Sequence, residues 1–180
     1  MNLINLSITS MNSSQKAINS ACRILGIREH SEKQIRTKLI KKGFESKDVA
    51  QAIKFLYQES WLSNERFCGS FIRSRVSKGQ GKIRIEFELI QNEVAQNLIN
   101  EAFENENIDW QIECEKVLGK KISSIHSTNI FSVIGESTND KNIENNELDF
   151  KDKLKIERFM KYRGFETSQV RKAFSKIRLQ

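Results

Sequence analysis

The chain has 180 residues, 38% hydrophobic and 29% charged, with a formal net charge of +7, enough apolar material for one core or several small modules. No apolar run reaches the ~18 residues of a membrane span, and three widely spaced cysteines without a Cys/His cluster argue against disulfide frameworks and zinc sites. The absence of proline, with eight glycines, favours uninterrupted helices over a loop-rich β protein.

The N-terminus, MNLINLSITSMNSS, lacks the basic flank and cleavage site of a secretory signal. It reads as a flexible arm over residues 1–15, and a cytoplasmic address is expected. Residues 16–60 read as a three-helix module. Ala17–Ile27 carries Ile18, Ala21, Cys22 and Leu25 as its apolar stripe. Ser31-Glu32-Lys33-Gln34 reads as a capping box opening a second helix, with Ile35 and Leu39 on one face. Gly43 supplies the positive φ that ends it, Phe44 covers the joint, and Ser46 is expected to cap a third helix striped by Val49, Ile53 and Leu56.

Residues 61–106 form the next expected module. Ser63–Ser77 buries Phe67, Cys68, Phe71 and Ile72, while Arg66, Ser70, Arg73 and Ser77 line the solvent side. Arg75 falls inside the apolar stripe and is expected to be partly buried against Glu65 or Glu86. "SKGQGK" lacks the spacing of a phosphate loop; Gly79 and Gly81 are expected to shape a corner. "KIRIEFEL" alternates like a strand, but Ile85 and Leu89 keep the helical spacing of the first module. Ile83, Phe87 and Ile90 then form a second apolar face, expected to be buried by a neighbouring module.

Residues 107–180 form the third expected module. Asp109–Lys121 carries Ile112, Cys114, Val117 and Leu118, and a polar stretch at about 122–149 reads as a flexible loop. Asp152, and Thr167 or Ser168, are the expected caps of two final helices.

The modules repeat one another. A shift of 121 residues sets Leu39 on Met160, Gly43 on Gly164, Phe44 on Phe165 and Val49 on Val170; a shift of 50 brings Ile35 onto Ile85, Leu39 onto Leu89 and Val49 onto Ile99. In the middle copy Glu93 stands at the glycine position, and Asn92 is expected to take the left-handed turn. Cys68 and Cys114 occupy the place of Ala21, a small position in helix packing.

Catalysis finds little support. His30 and His126 lack partners at catalytic or metal-ligand spacing, and Glu86 and Glu88 point to different sides of a helix. No cofactor is expected. Charge is uneven: Lys+Arg outnumber Asp+Glu ten to five in residues 1–60 and ten to three in 150–180, whereas 94–149 has four against eleven. Basic ends of this kind suit nucleic acid or an acidic protein surface, and suit a solvated lysine-rich face equally.

Three segments resemble the RecX family of bacterial recombination regulators: "LSNERF" at 62–67, "FIRSRVSKGQGKIRIEFEL" at 71–89 and "KLKIERFMKYRGFETSQV" at 153–170. The likeness covers roughly residues 17–177. Departures are Asn64 for the usual Asp, retaining a capping side chain, Glu93 for the expected glycine, and Gln91–Asn92 for a basic pair. The resemblance implies an all-helical array of tandem three-helix modules, elongated and curved. It implies a monomeric, non-enzymatic protein, without a membrane role, that binds the RecA recombinase filament and restrains its growth, ATP hydrolysis and strand exchange. Direct binding to single- or double-stranded DNA is the competing reading. Candidate contacts are Lys41, Lys42, Arg66, Arg73, Lys78, Lys82, Arg84, Arg158, Lys161 and Arg163; Gly43, Phe44, Phe67, Arg75, Gly81, Gly164 and Phe165 are expected to be structural.

Overall fold

The computed structural model describes residues 13–135 and 149–177. Every regular element among them is helical: α1 Ser13–Leu25, α2 Glu32–Lys41, α3 Ser46–Gln58, α4 Asn64–Val76, α5 Lys82–Gln91, α6 Gln96–Glu106, α7 Trp110–Gly135, α8 Phe150–Arg163 and α9 Thr167–Ile177. The strand-like "KIRIEFEL" segment is α5. Its one continuously buried row, Ile85 and Leu89, has the four-residue spacing that a helix turns to one side.

The chain divides into two compact units, Met1–Phe71 with Leu89–Ala102, and Ile72–Glu88 with Phe103–Gln180. In the first, α1 packs on α2 and α3 around Ala17, Ala21, Ile24, Ile35, Leu39, Val49, Ala52, Ile53, Leu56 and Leu62. The deepest row of α1 is Ala17, Ala21 and Ile24; Ile18, Cys22 and Leu25 are only partly buried beside it. Small alanines let the helix axes approach, so the larger side chains flank the contact instead of filling it. In the second unit, α7 packs on α8 and α9 around Cys114, Leu118, Ile122, Ile156, Met160, Phe165, Val170 and Ala173.

The repeated joint has the same hydrogen bonds in all three copies. Phe44 N–H donates to Leu39 O at 3.3 Å, Val94 to Leu89 O at 3.3 Å and Phe165 to Met160 O at 3.2 Å. The preceding N–H groups of Gly43, Glu93 and Gly164 donate to Ile40, Ile90 and Lys161 carbonyls. These paired bonds satisfy the otherwise orphaned last carbonyls of a helix and require a left-handed residue. That residue is Gly43 at φ +86°, Glu93 at φ +58° and Gly164 at φ +89°. In the middle copy it is therefore Glu93 itself, not Asn92. The position is fixed by the register of the joint, and Asn92, one residue too early, serves as acceptor for Gln34 Nε2 at 2.7 Å.

Several expected caps fall at other residues. Ser31 Oγ accepts from Gln34 N–H at 3.2 Å, but the Gln34 side chain turns to Asn92 and does not return to Ser31, so only half of the box forms. Glu45 caps α3 through its backbone, and Ser46 is the first helical residue. Asn64 does not cap its own helix: Ser63 Oγ accepts from Arg66 N–H, while Asn64 Oδ1 accepts from Glu32 N–H at the start of α2. Asp149, not Asp152, stands at the start of α8, and Asp152 pairs with Lys155. Thr167 is the first residue of α9, and Ser168 Oγ donates to Glu166 Oε2.

Two larger expectations are corrected. The loop placed at about 122–149 begins as helix, because α7 continues to Gly135. Ile122 is 8% exposed, lies four residues beyond Leu118 and enters the same core; the serines around it hid that continuation. Positions 136–148, like most of the N-terminal arm, lie outside the described residues. The second apolar face of α5 is not covered: Ile83, Phe87 and Ile90 are 52%, 56% and 47% exposed. Ile112, assigned to the α7 stripe, is likewise 47% exposed.

Candidate binding surface

The second unit brings together two segments that lie about eighty residues apart in sequence. The N-terminal turn of α5 meets the C-terminal turn of α8 backbone to backbone. Gly81 N–H donates to Arg163 O at 2.8 Å, and Ile83 N–H to Gly164 O at 3.2 Å. A helix N-terminus thus caps a helix C-terminus, each satisfying the other's unpaired groups. The approach requires two glycines. A Cβ on Gly81 would lie 2.4 Å from Gly164 O, and one on Gly164 would lie 2.4 Å from Arg84 Cβ. Gly79, at φ +71°, turns the chain into this contact.

Cations gather around the corner. Arg163 donates to Lys78 O at 2.5 Å and lies over the Phe159 ring. Arg84 stacks on the exposed ring of Tyr162 and pairs with Glu88 at 2.8 Å. Lys82 sits over Phe103. Lys78 and Lys161 are exposed and, among the described residues, without a carboxylate partner. Arg84 and Arg163 each spend part of the guanidinium within the corner, and an arginine has further N–H donors suited to phosphate or carboxylate.

Arg75 is the partly buried cation expected from the apolar stripe. Its Nε lies 2.8 Å from Glu88 Oε2, a carboxylate that was not among the expected partners. Glu88 shares the face of Arg84 one turn earlier and receives both guanidinium groups. Gln80 Nε2 also donates to Glu88, at 3.4 Å. One carboxylate therefore locks the α4–α5 connection.

Of the other sequence candidates, Arg66 and Arg73 are spent on the fold. Arg66 pairs with Glu29 at 2.9 Å and donates to the carbonyls of Ser60 and Trp61, so it clamps the α3–α4 turn within the first unit. Arg73 pairs with Glu106. Lys42 donates to Ser20 Oγ at 2.8 Å, and Lys41 is exposed. Arg158 and Lys161 line a groove of ≈ 180 Å³ with Phe165, Val170 and Arg171. Arg171, absent from the sequence candidates, had a signal: it follows Val170 on α9 and joins the α8 cations on one side of that groove.

Burial pushes the Cys68 and Cys114 thiols up to about 11, helped by neighbouring Glu65 and Glu115, which leaves both protonated and inert at neutral pH. Among the described residues no group of three His, Cys, Asp or Glu side chains could hold a metal ion, and no helix is long and apolar enough to cross a membrane. His30 is 1% exposed; its Nδ1–H donates to Arg28 O at 2.8 Å, and Nε2 accepts from Lys38 Nζ at 2.8 Å. Both ring nitrogens are thereby engaged in holding the turn before α2.

Comparison with known proteins places these features. The family description "RecX, first three-helix domain" matches residues 17–56, and "RecX, second three-helix domain" matches residues 63–102. A Regulatory protein RecX of Actinobacillus pleuropneumoniae is 34% identical, over 83% of this chain and 84% of its own. That of Vibrio vulnificus is 30% identical, over 87% and 89% respectively. A crystal structure of RecX from Lactobacillus salivarius superposes with a TM-score of 0.68, covering 93% of this chain and 98% of that one at 14% identity. Coverage of this extent, at up to 34% identity and with both three-helix domains matched, establishes that the chain belongs to the RecX family of regulatory proteins.

Proposed function

We propose that this chain binds the RecA–DNA filament and restrains filament growth, ATP hydrolysis and strand exchange, without catalysing a reaction itself. The observation that carries the reading is the α5–α8 corner, where "SKGQGKIR" and "KYRGF" are held together by backbone hydrogen bonds and carry Lys78, Lys82, Arg84, Lys161 and Arg163. A rigid, basic, non-catalytic surface fits a partner with acidic protein surface and bound phosphates. Binding that favours some filament arrangements over others would alter its activity without chemistry.

In this reading the chain acts as a cytoplasmic monomer of three three-helix modules, at 16–60, 61–106 and 107–180. Lys41, Lys42 and Arg158 add contacts outside the corner. Arg66 and Arg73 contribute mainly by holding their turns, since each is already paired.

The direct test is RecA ATPase on single-stranded DNA, titrated with substoichiometric amounts of this protein. Progressive inhibition is expected; a flat response across a broad titration overturns the proposal. A DNA binder independent of RecA is the second reading, favoured by the basic excess of residues 1–60. It predicts salt-sensitive binding to naked DNA and no dependence of the bound fraction on preformed filament.

A further inference from the structure

The first unit holds a cleft of ≈ 370 Å³ lined by Lys16, Asn19, Ser20, Arg23, Lys42 and Phe44. Lys16, Asn19, Ser20 and Arg23 follow the spacing i, i+3, i+4, i+7 and so form one row along α1. At 1.5 Å per residue the two cations of that row stand about 10 Å apart along the helix. Lys42 reaches in from the end of α2, and its bond to Ser20 Oγ at 2.8 Å sets a third positive charge against the middle of the row. No carboxylate lines the cleft.

The nearby carboxylates are engaged elsewhere: Asp48 accepts from Ser13 and Ser14 at the start of α1, and Glu45 pairs with Lys47 at 3.0 Å. Residues 13–44 contain eight Lys+Arg and two acidic residues, Glu29 and Glu32. Glu29 is taken by Arg66 at 2.9 Å and Glu32 by Arg36 at 2.6 Å. Gathering like charges without counter-charge works against the folded state, which a polyanionic ligand would reverse.

We propose that this cleft is a nucleic-acid backbone site, built to take successive phosphates of one strand. A strand advances about 3.4 Å per phosphate along a duplex axis, so a row of about 10 Å spans about three of them. Asn19 and Ser20 add the neutral donors that phosphate oxygens accept from. An acidic peptide fits less well. The single apolar lining residue, Phe44, is packed against the helical core, which leaves no pocket for an anchoring side chain. The site is separate from the α5–α8 corner and does not rest on the RecA reading. Lys16 and Arg23 are new to the functional set, and Lys42 becomes a phosphate ligand.

The experiment uses the full chain and a fluorescent oligothymidine, with no other protein present, followed by anisotropy over a range of salt. Lys16→Gln/Arg23→Gln/Lys42→Gln should weaken binding at least about tenfold and lower the salt slope by about 2, at about 0.7 per single-strand phosphate contact. Lys54→Gln/Lys120→Gln/Lys172→Gln removes equal charge elsewhere and should leave most of both. Lys16→Arg/Lys42→Arg should retain binding. If the first triple variant loses helical content, Lys16→Gln/Arg23→Gln on the exposed face of α1 is read instead, with about two thirds of the slope change expected. Unchanged affinity and slope in a folded cleft variant overturns the proposal. Equal loss in the control triple overturns it in favour of a net-charge effect, and competition by polyglutamate as strong as by oligothymidine overturns it in favour of an acidic protein segment.

Discussion

Gly43 and Gly164 occupy equivalent places in the repeat, with φ of +86° and +89°, yet their surroundings differ. A Cβ at Gly43 meets nothing within 4 Å, whereas one at Gly164 meets Arg84 Cβ and backbone N at 2.4 Å. Gly43→Ala should therefore cost only the left-handed backbone penalty, about 1–2 kcal/mol. Gly164→Ala should cost at least about twice that, since backbone must move as well; thermal or urea unfolding of the two variants gives the comparison. The converse applies at Glu93, a non-glycine residue at φ +58° whose exposed pair with Lys33 contributes little. Glu93→Gly should stabilise by up to about 1 kcal/mol. His30 supplies a pH dependence. Burial first, and then the nearby Arg28 and Lys38 charges, hold it below its ordinary 6.5, against the raising effects of the Arg28 carbonyl and Glu29. As pH falls through 6.5 the unfolded chain takes up a proton that the folded chain refuses, so stability is full above that pH and declines below it. Unfolding midpoints between about pH 7.5 and 5.5 should fall, and His30→Gln should flatten that slope. Asp48 acts lower: hydroxyl donation from Ser13 and Ser14 holds its carboxyl below the usual 3.8, so its contribution persists above that value and is lost on further acidification. Nothing in the sequence near His30 or Asp48 announced these roles, because Lys38 and Ser13–Ser14 come to them through folding.

At the scale of the helix, spacing carried most of the information. The rows Ile35/Leu39, Ile85/Leu89 and Ile156/Met160 were legible and are fully buried, since a four-residue apolar spacing has one stable use in a chain without proline. Helix ends were less legible, because Ser31 and Ser46 look alike in sequence and only the first makes a side-chain cap. Ser31→Ala should cost about 1 kcal/mol and Ser46→Ala well under half of that, as read by helical circular dichroism during unfolding. The α4–α5 connection depends on Glu88, which receives Arg75 and Arg84. Glu88→Ala leaves Arg75 half-buried without this partner and should cost about 2 kcal/mol, against less than about 0.5 for an exposed substitution such as Glu101→Ala. Charge pairing could be anticipated at Arg75 from its place in an apolar stripe. The part played by Glu88 could not, because it depends on which turn of α5 faces α4.

Across the whole chain, the basic residues sort by what they already hold. Local pattern marked Arg66 and Arg73 as solvent-facing, and they are, but both are consumed by Glu29 and Glu106. The corner formed by residues 78–84 and 161–164 could not be seen in sequence, since its two halves are joined only by tertiary hydrogen bonds. Reversal of the unpaired charges, Lys78→Glu/Lys161→Glu, should weaken filament association at least about tenfold with unchanged helical content. Arg66→Glu should instead lower the unfolding midpoint by breaking its clamp. The bond from Gly81 N–H to Arg163 O also has a kinetic meaning. In a fold made mostly of contacts between neighbouring helices, this one closes a loop spanning nearly half the chain, and such contacts form late. During synthesis, residues 78–84 emerge long before α8 exists, so the amides of Gly81 and Ile83 stay open to solvent exchange until α8 arrives. Hydrogen exchange at those two amides would then report the docking of α8 on α5, making this corner a clock for assembly of the second unit.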